Sequence, residues 1–142
     1  MQQFVHLRTH SRFSVGASTL TIKQIPKLCA AAGMTACALT DTNLMSGCAE
    51  FSDVMPSNKL QPIIGVEISL NHHTADPKIL RASSLSKIVL LAQNHTGYLN
   101  LCHSVVFEIV SKYCISDSFV DHDGYSISSE GFLPKVVDIM VI

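Results

Sequence analysis

The sequence predicts an α/β fold in which mostly parallel strands alternate with helices. Short apolar runs of strand length recur at 4–8, 35–40, 62–70 and 87–92. Stretches with apolar residues at helical spacing separate the first three runs and follow the fourth. That order defines βα units, which build sheets with parallel neighbours. A chain of 142 residues fits one domain and can bury a real core.

Phe4-Val5-His6-Leu7-Arg8 reads as the first strand, followed by a polar loop over 11–19 that holds Gly16. Ile22, Ile25, Leu28, Cys29 and Ala32 then fall on one helical face. Thr21 is the expected N-cap and Gly33 the stop, while Pro26 should loosen the start of this helix. Thr35–Thr40 is continuously small and apolar, as in a strand buried on both faces. It ends in the polar turn Asp41-Thr42-Asn43. Ser46–Met55 reads as a second helix and PIIGVEISL, 62–70, as a third strand.

Residues 71–86 are polar, with Pro77 and adjacent His72 and His73, and read as a loop or insertion. Lys87–Ala92 is a fourth strand. Asn94 or Thr96 caps a third helix reaching about Tyr113, with Leu101, Val105, Val106, Ile109 and Val110 as its apolar face. Past Cys114 the pattern weakens into a polar, acidic stretch over 116–129, before the apolar FLPKVVDIMVI. Four strands do not close a barrel, so at least one open edge is expected. Folds of this kind carry function at the C-terminal ends of their strands. That rule selects His6-Leu7-Arg8, Asp41-Thr42-Asn43 and Glu67.

Composition narrows the function classes. Ten basic and eleven acidic residues give a net charge of -1, without the basic stripe that direct nucleic-acid binding uses. Only 15% of residues are charged, which implies a surface partly covered in use. Five cysteines without a CxxC pair argue against a disulfide framework and a zinc ribbon, and for reduced, mostly buried thiols. Neither a signal peptide nor a run of membrane-spanning length is visible, so a cytoplasmic location without membrane contact is expected. Ser14, Thr40 and Ser46 show no histidine and carboxylate at useful spacing, and Gly65 and Gly97 are isolated, so neither a nucleophilic triad nor a phosphate loop is proposed.

Four stretches together carry a specific resemblance: FVHLRTHSRFSV, AAAGMTACALTDTNLMSGCAEF, QPIIGVEISL and IVLLAQNHTGYLNLCHSV. In this order and spacing they resemble the opening motifs of the PHP (polymerase and histidinol phosphatase) family, as found in bacterial DNA polymerase III alpha subunits. The resemblance runs from about Phe4 to Val106. It implies the first half of a distorted (β/α)7 PHP-type barrel, with residues 1–113 as a partial PHP domain and 114–142 as a divergent tail, truncated or non-native in its continuation. A half barrel with an open apolar edge should be marginal and prone to associate.

Metal-binding members of that family open with an H-x-H strand end, which here reads His6 and Arg8. The family's acidic loop residue falls near Ala17. Its Asp-His pair reads Asp41-Thr42, its third-strand glutamate is Glu67, and its fourth-strand histidine reads Lys87. Guanidinium and ammonium groups thus stand where cation ligands would be, and neither binds a cation. The resemblance therefore implies a vestigial site of His6, Arg8, Asp41, Thr42, Glu67 and Lys87, with no catalytic residue and no metal or other cofactor expected. Any residual divalent ion would fall to His6, Glu67 and Asp41. The expected replacement is an ion pair from Arg8 to Glu67 or Asp41.

This version resembles the proteobacterial branch. There the domain is a scaffold beside the polymerase domain and helps hold the proofreading exonuclease subunit. The expected partners are accordingly the remainder of the alpha subunit and that exonuclease. The alternative is a metal-dependent PHP phosphoesterase acting on a phosphomonoester or pyrophosphate. A third reading is an independent small α/β binding protein. Among the remaining histidines, His10 reads as a ligand or as a turn cap. His72 and His73 point opposite ways in extended backbone. His95 and His103 are surface or groove residues, and His122 between Asp121 and Asp123 belongs to a solvated loop.

Overall fold

The computed structural model describes residues 4–70, 86–113, 119–120, 126–127 and 138–141, with side chains beyond residue 105 described only at 138–140. The polar stretch with His72 and His73, His122, Cys114 and the side chains of Val106, Ile109 and Val110 lie outside the described residues.

Helices and strands alternate from Ile25 to Leu70, after which the next strand follows without a described helix before it. A 3-10 turn, Ile22–Gln24, leads directly into helix α1, Ile25–Ala31. Thr21 begins this unit in extended conformation, and its backbone N–H donates to Oε1 of Gln24 at 2.9 Å. Pro26 occupies the first turn of α1, where no helical donor is lost. Gly33 adopts a φ of 69° just past the helix end, the left-handed conformation that suits glycine at this stop. Strand β1, Ala36–Leu39, is buried along its whole length. Helix α2 is Cys48–Ser57, strand β2 is Gln61–Leu70, strand β3 is Ser86–Ala92 and helix α3 is His95–Tyr113. Asn94 caps α3, since Gly97 N donates to its Oδ1 at 2.9 Å.

The main sheet has the order β1-β2-β3-β6, where β6 is Ile139–Val141. A separate pair, β4 (Phe119–Val120) and β5 (Ser126–Ile127), is antiparallel. Two expectations need correction. The first strand is reduced to a single parallel bridge, His6 to Cys37, although the backbone of 6–9 still accompanies β1 through Ala38 N to His6 O and Thr40 N to Thr9 O, each 2.8 Å. The strands are also not mostly parallel. β1 and β2 pair parallel, but β3 runs antiparallel to β2 and β6 antiparallel to β3. A parallel neighbour requires a crossover, usually a helix, whereas antiparallel neighbours need only a connection. The sequence carries no helical pattern between β2 and β3.

Packing separates the two sheet faces. Cys37 and Leu39 of β1 turn toward α1 and α2, where Ile22, Ile25, Phe51 and Met55 complete one core. Val66 and Ile68 of β2 turn toward Leu101 and Val105 of α3, joined by Ile139 of β6. The intervening β2 residues 63, 65, 67 and 69 face the other side, where Ala38, Val89 and Leu91 form a smaller cluster with Ile63. That face carries the polar cluster described next.

Candidate functional site

Glu67 lies in the middle of β2 with no exposed surface. An ionised carboxylate buried there requires charged or hydrogen-bonding partners. Three chain segments bring them. From the N-terminal segment beside β1, Arg8 Nε donates to Oε2 at 2.6 Å, and Nη2 lies 2.5 Å from the same oxygen. From β3, Lys87 Nζ donates to Oε1 at 2.6 Å. The ladder places Val89 opposite Glu67 and Lys87 opposite Ser69. Lys87 is therefore the diagonal neighbour on the same face, within reach of a long side chain. From the turn after β1, Thr42 Oγ1 donates to Oε1 at 3.0 Å, and Thr42 itself bridges Glu67 in parallel pairing.

His10 completes this ring. Its Nε2 lies 3.4 Å from Oε2 of Glu67 and is buried without a hydrogen-bond partner. Burial pushes the Glu67 carboxyl up. Hydrogen bonds from Lys87, Thr42 and Arg8, with His10 nearby, outweigh that effect and hold it below the ordinary glutamate value. A carboxylate whose oxygens already accept from cations is a poor base, because protonation would cost those bonds.

Asp41 is engaged differently. It is buried, and Ser11 donates to it twice, from backbone N to Oδ1 and from Oγ to Oδ2, each at 2.6 Å. Ser14 Oγ donates to Oδ1 at 2.6 Å and accepts from Thr42 N at 3.0 Å. Asp41 thus clamps the 11–14 turn onto the end of β1, and Ser14 serves in that clamp.

Of the six residues selected from the sequence, Arg8, Thr42, Glu67 and Lys87 converge directly. Arg8 meets Glu67, the first of its two expected partners, while Asp41 takes the serine donors. His6 stands apart, exposed, with its ring edge-on to Phe4 at 4.7 Å between centroids. Ser11 was invisible in the sequence, because a serine turn that folds back onto a strand end 30 residues later has no local periodicity. His10 carried a weak signal: it lies two residues from Arg8, and in extended backbone such residues share a face. Among the described residues, no group of three or more His, Cys, Asp or Glu side chains is placed to hold a metal ion.

A cavity of about 390 Å³ opens beside this cluster and is lined by His6, Arg8 and His10 on its polar wall. The described cysteines are free: Cys29, Cys37 and Cys48 are buried and Cys102 half-buried. Burial is the main reason the Cys29 thiol is pushed up to about 11 and the Cys48 thiol to about 12, so both stay protonated near neutrality. No helix among the described residues is long and apolar enough to cross a membrane.

The family model described as PHP domain matches residues 6–138. The DNA polymerase III subunit alpha of Haemophilus influenzae is 35% identical over 99 residues, covering 70% of this chain and 8% of that protein. The same subunit of Caulobacter vibrioides is 39% identical over 100 residues, covering 70% of this chain and 9% of that protein. The chain thus spans less than a tenth of the length of these relatives. A solved structure from Bifidobacterium adolescentis, described as a metal-dependent phosphoesterase, superposes with a TM-score of 0.52 at 16% identity, covering 70% of this chain and 32% of that one. At that identity the likeness concerns the fold alone.

Proposed function

The chain belongs to the PHP domain family, and from that premise we propose that it is the PHP segment of a DNA polymerase III alpha subunit in which an ion-paired cluster stands in place of a metal centre. The observation that carries this reading is the occupation of both Glu67 oxygens, by Arg8 on one side and by Lys87 on the other. A divalent ion does not fit this donor set. It would have to displace two fixed cations from the one carboxylate they share, while Asp41 is committed to Ser11 and Ser14. In this reading the segment performs no chemistry of its own. It is a cytoplasmic scaffold for the rest of the alpha subunit and for the proofreading exonuclease subunit, and nucleotidyl transfer and DNA contact belong to other parts of the polymerase.

A second reading, a metal-dependent phosphoesterase acting on a phosphomonoester or pyrophosphate, draws support from His10, whose buried and unpartnered Nε2 faces Glu67. Elemental analysis of purified protein, with a phosphatase assay in added manganese or zinc, separates the two. The scaffold reading expects substoichiometric metal, no release of phosphate, and co-purification with the exonuclease subunit. One or more equivalents of bound divalent ion together with metal-stimulated phosphate release would establish the second reading instead.

A further inference from the structure

We infer that the cavity beside Glu67 receives a carboxylate side chain from an acidic, partly apolar segment of a protein partner. This rests on the reading above, in which the cluster holds protein cations and no metal. All eleven lining residues fall between 6 and 37. The first forty residues of the chain contain Arg8, Arg12, Lys23 and Lys27 and no acidic residue at all. The cavity wall is therefore built wholly from a positively charged segment, offset only by the buried Glu67 and Asp41 against which it packs.

The nearest carboxylate is already shared. Glu67 answers both Arg8 and Lys87, and buried Asp41, bonded to Ser11 and Ser14, balances the second cation, so the excess positive charge lies with Arg12, Lys23 and Lys27 around the cavity. Arg8 contributes two nitrogens to Glu67, yet its side chain remains 57% exposed, so part of a five-donor guanidinium faces outward. His10 Nε2 adds a buried polar atom that lacks a partner. An acceptor entering from solvent would meet the outward part of Arg8, with the His10 ring in the wall beside it.

Size and polarity decide the kind of occupant. A volume near 390 Å³ far exceeds the roughly 30 Å³ a water molecule occupies in the liquid, so a lone oxyanion would leave most of it unfilled. Leu20, Ile25 and Leu28 give the lining an apolar part. Leu28 is 55% exposed, and the surrounding segment also exposes Val15, Arg12, Lys23 and Lys27. A ligand with a carboxylate head and an apolar body matches these walls, and a run of further acidic residues matches the exposed cations beyond them. A free phosphate lacks the body.

The test is fluorescence anisotropy of a labelled decapeptide of alternating Glu and Leu, titrated with the full chain at low salt and again at about 0.5 M salt, where charge attraction is largely screened. Saturable binding is expected, weakened about tenfold or more in high salt. Ala17→Glu places a carboxylate on the cavity wall itself, and should weaken binding about tenfold while circular dichroism stays unchanged. The exposed pair Lys23→Glu and Lys27→Glu should weaken it several-fold. Unchanged affinity in Ala17→Glu would overturn the inference. So would equal displacement of the peptide by inorganic phosphate, or tighter binding of a single-stranded oligonucleotide than of the peptide. Elemental analysis of the same preparation isolates the premise, since bound divalent ion would sink the metal-free reading whatever the peptide does.

Discussion

Glu67 shows how a buried charge is kept at the scale of a single residue. Its neighbours are two partly exposed cations, a hydroxyl and an imidazole, brought by three separate segments of the chain. Removing one partner should be costly because the carboxylate stays buried. Arg8→Ala is expected to lower unfolding stability by about 1–3 kcal/mol, less than a fully buried pair because the Arg8 side chain is 57% exposed. The same substitution in a Glu67→Gln background should cost markedly less, which a double-mutant cycle by urea denaturation measures. Glu67 also sets a pH dependence. Its carboxyl is held low in the folded chain, so its contribution to stability is complete above the unfolded value of about 4.3 and disappears as pH falls through the lower folded value. Glu67→Gln should flatten the loss of stability measured between pH 5 and pH 3.

At the scale of elements, caps and close approaches matter more than propensity. Asn94 satisfies a free backbone donor at the start of α3, and Asn94→Ala is expected to cost about 1 kcal/mol in thermal or urea denaturation. Gly65 lies where β2 passes β3 closely: a Cβ there would stand 2.6 Å from Leu90 O and 2.5 Å from Leu91 Cδ2. Gly65→Ala should therefore destabilise by more than about 1 kcal/mol, since backbone would have to move, and should shift the amide resonances of Leu90 and Leu91. The sequence marked this glycine only as isolated in a strand. Its reason lies in a neighbour paired across the sheet, which local pattern does not reveal.

At the scale of the whole molecule, the sheet formed by the described residues is mixed and open. β6 forms an edge beside β3, and Met140 on it is 47% exposed. Ile139 is nevertheless buried against Leu101 and Val105 of α3, so this last strand helps to complete the second core. Ile139→Ala is expected to cost about 2–4 kcal/mol, comparable to other core truncations, whereas Met140→Ala should cost little. Native-state hydrogen exchange should protect the β1–β2 ladder more than the β3–β6 pairing, because among the described residues β6 pairs only with β3, whereas β1 is also flanked by the backbone of 6–9. An open apolar edge also favours self-association, which size-exclusion chromatography across a concentration series detects.

Lys87 entered the site only through the family resemblance; by itself the sequence located α1 to α3 and β1 to β3 in order, the Gly33 stop, and the caps at Thr21 and at Asn94 or Thr96. Those features are local: apolar spacing, capping side chains and a glycine at a helix end act within a few residues. Strand direction, the reduction of the first strand to a bridge, and the choice of Glu67 over Asp41 as the partner of Arg8 were decided only by the tertiary structure. The physical reason is that each depends on register. A diagonal pairing across the β2–β3 ladder brings Lys87 to Glu67, and a serine turn claims Asp41 before any cation reaches it.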